Sequence, residues 1–235
     1  MKRFYTAVDT APDEEDGRRH VVRLDGRPVR TPARHALALP NPALAEAVAA
    51  EWRAQEREVD AAAMPLTKLA TTVVDLMPGR RADAVAEAAG YAGTDLLCYR
   101  ASHPAPLAAR QRAAWQPWLD WAERRYDARL AVAHTVDPVP QPEQATAALH
   151  AAVDRLDDWR LVGLHAATTL TGSLVLALAL ERGELDTERA LNAALLDELF
   201  EVEQWGEEEG QRRRHAALRR DLEAAGSYLR LLETP

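Results

Sequence analysis

Five carboxylates, one indole and three guanidinium groups fall within residues 201–214, EVEQWGEEEGQRRR. Such a cluster could supply an acid–base pair, a metal site, or a charged contact surface for another protein. Consecutive acids on a helix point in different directions, so Glu207, Glu208 and Glu209 do not make a catalytic dyad. A carboxylate-bridged di-iron site needs Glu-x-x-His twice. None of the seven histidines has a glutamate three residues before it. Zinc finds few ligands in a chain with one cysteine and scattered histidines. Cys98 is flanked by Leu96, Leu97 and Tyr99, which reads as a buried thiol rather than a nucleophile. His165 sits in an otherwise apolar run and reads as a hydrogen-bonded core histidine. No phosphate loop, dinucleotide fingerprint, His-Glu-x-x-His or Gly-x-Ser-x-Gly occurs. The expectation is therefore no catalytic residue, no metal and no cofactor. The rival expectation is a small-molecule enzyme using Glu203, Glu207 and Glu209, or Cys98. It requires at least two of these groups to converge in one concave pocket.

The elements that must position these groups follow from composition and pattern. The chain has 235 residues, enough to bury a sizeable core. Its apolar share is largely alanine and leucine, which favour helix. A net charge of −8 makes nucleic acid a poor partner, because phosphate binding needs a cationic surface. One cysteine cannot form an internal disulfide and fits a reducing compartment, so a cytoplasmic location is expected. Acidic residues crowd the first twenty positions, which argues against a secretory or transit peptide. The uncharged run 161–180, LVGLHAATTLTGSLVLALAL, mimics a membrane span. Its hydroxyls and His165 dilute it, so a buried helix is expected and no membrane insertion.

The first forty residues read as β. Strands are expected at 3–8 and 20–24, with Asp25-Gly26 as a two-residue hairpin turn. Pro28 places the return strand at an edge or bulge, and 36–39 could add one more strand. Such a sheet cannot stand alone. Asn41 then caps a helix over 42–55, with Leu44, Ala45, Val48 and Trp52 on one stripe. Further helices are expected over 66–77, ended by Pro78-Gly79, and over 82–91. The helix over 106–126 carries Trp115, Trp118 and Trp121 at a spacing that reads as a core stripe, and Pro117 should kink or divide it. A loop is expected at 137–142, then helices over 144–155 and 158–180, and a last long helix over 187–232. This gives an α+β chain: a small N-terminal β-rich domain with one helix, 1–60, and a larger all-helical domain, 61–235.

If 187–232 is one helix, Leu191, Leu195, Leu199, Val202 and Trp205 form an apolar stripe. Glu209 then occupies the next position along it, while Glu207 and Glu208 face solvent. Gly206 leaves space beside Trp205 and weakens the helix locally. Glu209 is either paired within the helix to Arg213, or a carboxylate on an apolar patch that meets a partner.

Several stretches occur in a telling order: LDGRPVRTP at 24–32, EW at 51–52, MPLTKLA at 64–70, TDLLCYRA at 94–101, WQPWLDW at 115–121, GSLVLALAL at 172–180 and LDELFEVEQWGEEE at 196–209. Together they resemble the Atp-twelve family, the assembly chaperones of the F-type ATP synthase, also called mitochondrial F-ATPase assembly factor 2. The resemblance spans nearly the whole chain and implies a non-enzyme with a β-rich part followed by a helical part. It implies a protein partner: the unassembled alpha subunit of the synthase head, kept from aggregating until it pairs with the beta subunit. The family's Trp-Gly-x-x-Glu motif falls on Trp205, Gly206 and Glu209, which the resemblance marks as partner-binding. At 59–63, VDAAA replaces a stretch in which relatives often carry proline before MPLT.

Overall fold

The hairpin signal at Asp25-Gly26 is where the sheet is organised. The computed structural model, which describes residues 2–134 and 139–233, gives these residues φ of 49° and 78°. Two successive positive φ values suit the right-handed twist of a two-residue hairpin. The turn joins β2 (His20–Leu24) to β3 (Arg27–Pro28), with Leu24 opposite Arg27. β1 (Val8–Pro12) runs antiparallel along β2, Val8 opposite Leu24. β4 (Ala38–Leu39) also pairs with β2, His20 opposite Leu39. β3 ends the β1-β2-β3 path, so Pro28 sits where its missing N–H matters least.

The first strand begins later than the expected 3–8. The Asp25 carboxylate accepts the N–H groups of Ala7 at 2.8 Å and Thr6 at 3.1 Å. Tyr5 is buried and its hydroxyl donates to the Trp52 carbonyl at 2.7 Å. Residues 3–7 are thus held by side-chain bonds and by single backbone bonds to Arg57 and Asp25, not by a continuous ladder.

α1 (Pro42–Arg53) starts as its sequence dictates. The Asn41 side chain accepts the Leu44 N–H at 2.8 Å, and Pro42 occupies the first turn. Leu44, Ala45 and Val48 are buried against Val22, Leu37 and Leu39 of the sheet. The same cluster reaches Ala70 and Tyr228, so helices from far along the chain complete the cover of the small sheet.

α2 (Pro65–Gly90) is broken at Pro78 (ψ 107°) and Gly79 (φ 92°), matching the two expected helices. α3 (Ala105–Tyr126) contradicts the expected division at Pro117. Pro117 is exposed, so water can take up the carbonyl it leaves unbonded, while Trp115 on the far side of the helix and Trp121 one turn on are both buried in the core. Their indole N–H groups donate to the Ala193 carbonyl and the Glu184 carboxylate. α4 (Glu143–Asp154) follows; the loop expected at 137–142 falls partly outside the described residues.

The expected helix over 158–180 is in fact two, α5 (Asp158–Thr171) and α6 (Leu174–Glu181). Gly172, at φ 67°, ends the first, and the Ser173 hydroxyl accepts the Leu176 N–H to start the second. Among the described residues, no helix is long and apolar enough to cross a membrane. Every α6 residue is buried, at the centre of the larger apolar cluster. Its Glu181 is held by Arg160 of α5. Gly163 of α5 packs directly on α9 (Glu209–Leu231): a Cβ there would lie 2.6 Å from the Leu229 side chain.

The expected helix over 187–232 is also divided, into α7 (Thr187–Ala194), α8 (Leu196–Trp205) and α9. α7 begins on Asp186, whose carboxylate accepts the Arg189 N–H at 2.8 Å.

Candidate partner-binding surface

The second of those divisions rewrites the acidic stretch. Gly206 has φ 84° and ψ 169°, a region essentially closed to other residues. Apart from its chain neighbours, nothing lies within 4 Å of where its Cβ would stand. Glycine is thus required by the backbone conformation. Its N–H closes α8 on the Val202 carbonyl at 2.9 Å.

Because the helix stops there, Glu209 is not on an apolar stripe continuing from Trp205. It is the first residue of α9, where a carboxylate complements the positive end of the helix dipole. Its oxygens accept from Arg212 at 3.1 Å and Arg213 at 2.8 Å. This is the intrahelical pairing that spacing offered, and the side chain remains 59% exposed. Trp205, placed on the stripe by a continuous helix, is 87% exposed at the last turn of α8.

Glu207 does not face solvent freely. It bonds Arg212 at 3.1 Å and His215 at 3.3 Å. The other His215 nitrogen lies 2.8 Å from Glu198, which also holds Arg214. His215 is thereby clamped between a carboxylate of α8 and one from the connection, and it fixes the angle between α8 and α9. Glu203 reaches α3 instead, bonding Arg110 at 2.6 Å; that guanidinium also lies over the Phe200 ring.

Trp205, Gly206 and Glu209 thus share one exposed corner, with an indole projecting beside acids whose charges are partly engaged. Glu207 and Glu209 meet on one guanidinium, that of Arg212, while Glu203 is held apart by Arg110 of α3, and Cys98 lies fully buried in a short 3₁₀ turn at Leu96–Cys98. Burial pushes its thiol up to about 12, the reverse of an activated nucleophile. His165 is another correction. It is partly exposed, 3.2 Å from Glu87, on a cleft between α2 and α5 that also includes Leu76 and Val162.

Two structural carboxylates went unnoticed in the sequence, one half-buried and one fully buried. Glu51 accepts the N–H groups of Leu66 and Thr67, both at 2.7 Å, and the Thr67 hydroxyl at 2.6 Å. It caps α2 from α1, joining the EW and MPLT stretches. Asp95, completely buried, accepts from Leu97 and Val175, both at 3.0 Å, and so joins TDLL to the start of α6. These acids serve the scaffold. The local signal for each was only an acid near a distant helix start.

Comparison with known proteins gives a consistent result. Residues 2–123 match the family described as ATP12 chaperone protein. Atp12 from Paracoccus denitrificans is 37% identical, covering 98% of this chain and 97% of its own, with a TM-score of 0.91. A point variant of the same P. denitrificans protein superposes equally well, at 36% identity over the same shares of both chains. A candidate chaperone from Agrobacterium tumefaciens is 39% identical over 99% of this chain and 86% of its own, with a TM-score of 0.93.

Proposed function

The chain belongs to the ATP12 chaperone family, and from that premise we propose that it binds the unassembled alpha subunit of the F-type ATP synthase head in the cytoplasm. It keeps that subunit from aggregating until the beta subunit arrives. A lone subunit of a ring exposes surface meant for its neighbours, which is an aggregation hazard. A protein that covers such surface and later releases it needs an interface of moderate size with polar as well as apolar contacts.

The observation that carries this reading is Trp205. Tryptophan is highly buried on average, yet this one projects almost fully into solvent. Its own fold gains little from it. Indoles are enriched among residues that dominate binding energy at interfaces, usually within a polar rim. Gly206 ends α8 directly after the indole, and Glu209 supplies a carboxylate for orientation and specificity.

Glu209→Lys tests the role of the carboxylate. The substitution removes two exposed ion pairs and places a cation at a helix start, which together cost about 1 kcal/mol or less. The variant should fold with nearly the wild-type Tm and capture at least about tenfold less alpha subunit in a pull-down. Undiminished capture would remove Glu209 from the binding surface.

A further inference from the structure

The residues leading into α3 line a cleft of about 210 Å³ together with Arg100, Arg112 and His134. Its charge is one-sided. Among the described residues, no carboxylate lies within ion-pair distance of these three side chains, whereas Arg110 on the same helix is paired with Glu203. The protein carries a net charge of −8, so leaving two guanidinium groups and an imidazole together without an acid is a local departure from its composition.

Arg100 is the informative residue. It is only 7% exposed. Its Nε donates to the Leu97 carbonyl at 2.8 Å, and one Nη reaches the Gln116 oxygen at 3.4 Å. The other Nη has no acceptor among the described residues. It is not sealed from solvent either, so it opens on the cleft that Arg100 lines. A buried cation without a counter-charge is costly unless something else supplies one.

The surroundings hold this guanidinium rigidly. The Arg100 N–H donates to the Ala133 carbonyl at 2.8 Å, and the Ala133 N–H to Cys98 at 2.7 Å, which brings His134 alongside. Gln111, 1% exposed, accepts from the Ala101 N–H and donates to Asp197, fixing the opposite wall. The Trp115 ring lies 5.6 Å from the Arg100 guanidinium. α3 itself begins without a side-chain cap and without an acid in its first turn.

We propose that this cleft binds a compact oxyanion, a phosphate or a carboxylate, gripped by Arg100 and Arg112 and lined by Ser102 and His134. A planar guanidinium can offer two parallel N–H groups to such an anion, which gives direction as well as charge. Burial, and the neighbouring Arg112 charge, hold the Arg100 guanidinium below its usual range. An anion in the cleft acts against both causes. The site is independent of which protein the chain escorts.

Arg100 is too buried for a clean substitution, so the test uses exposed Arg112. Thermal unfolding of the full-length protein is followed while sodium phosphate or N-acetylglutamate is added, with ionic strength held constant by sodium chloride. A ligand that binds only the folded state raises Tm in a saturable way. The expected result is such a rise with one or both ligands. Arg112→Glu removes a like charge and supplies a carboxylate beside Arg100, so it should raise the unliganded Tm and weaken the apparent affinity at least about tenfold. A response to phosphate alone supports a free phosphate as occupant; one to N-acetylglutamate alone supports a carboxylate. If neither exceeds the chloride control, or if Arg112→Glu responds as fully as wild type, the site is refuted.

Discussion

Asp95→Ala should lower the unfolding free energy by about 2 kcal/mol at neutral pH, and by more in mild acid. The substitution leaves the buried N–H groups of Leu97 and Val175 without their acceptor. Each orphaned donor costs about 1–3 kcal/mol. Against this, alanine relieves the burial of a charge. Burial pushes the Asp95 carboxyl up from 3.8 to about 6, against the pull of bonds from Val175, Ser173, Leu97 and Leu174. The folded value lies above the unfolded one. Between the two, the folded chain keeps a proton that the unfolded chain releases. Stability from this group is therefore full below the unfolded value and is lost as pH rises through about 6. The gap between wild type and Asp95→Ala should widen by roughly 2 kcal/mol from about pH 7 to about pH 4.5. Urea unfolding at the two pH values reads this directly. A gap that stays constant or narrows would mean that Asp95 is not the buried, reluctant carboxylate described.

Glu51→Ala should cost about 3 kcal/mol. α2 has no side-chain cap of its own at Met64. Glu51 supplies the cap from another helix, taking two backbone N–H groups and a hydroxyl on its two oxygens. A lost cap costs about 0.5–2 kcal/mol, and bonds to a charged group contribute at the upper end of the hydrogen-bond range. The carboxyl is itself pushed up by burial, against the bonds from Thr67 and Leu66. That penalty keeps the net loss below the sum of the bonds. Glu51→Gln keeps one acceptor but turns an amide N–H toward a donor, so it should recover only part of the loss. Chemical denaturation of the two variants checks the order. Equal stability of wild type and Glu51→Ala would contradict the cap.

Much of this architecture is legible because its causes are local. Asn41-Pro42 starts a helix, Asp25-Gly26 turns a hairpin and Pro78-Gly79 breaks α2, each by the conformational preference of the residue at that point. The misreadings have local causes as well. Apolar periodicity runs unbroken through Gly172-Ser173 and Trp205-Gly206, and it outweighed the glycine signals that end α5 and α8. At 206 the error mattered most, because it put Trp205 and Glu209 on one continuous apolar stripe. What could not be read at all was long-range. Nothing near Glu51 or Asp95 says which helix start each will cap, since the partners lie at 66–67 and 175. That Arg100 has no direct ion pair among the described residues, with Asp120 reaching it only through Gln116, is likewise invisible before the fold is known. The Trp-Gly-x-x-Glu pattern named the candidate surface, while its geometry came only from the break at Gly206.

The central claim is that this chain holds an unassembled ATP synthase alpha subunit through the exposed corner at Trp205. The most direct test mixes the purified chain with isolated alpha subunit, with and without beta subunit, and follows light scattering and elution by size. The account predicts a soluble complex with the lone alpha subunit, suppressed aggregation, and loss of both with Trp205→Ser. Unchanged aggregation of the alpha subunit and separate elution of the two proteins would contradict it.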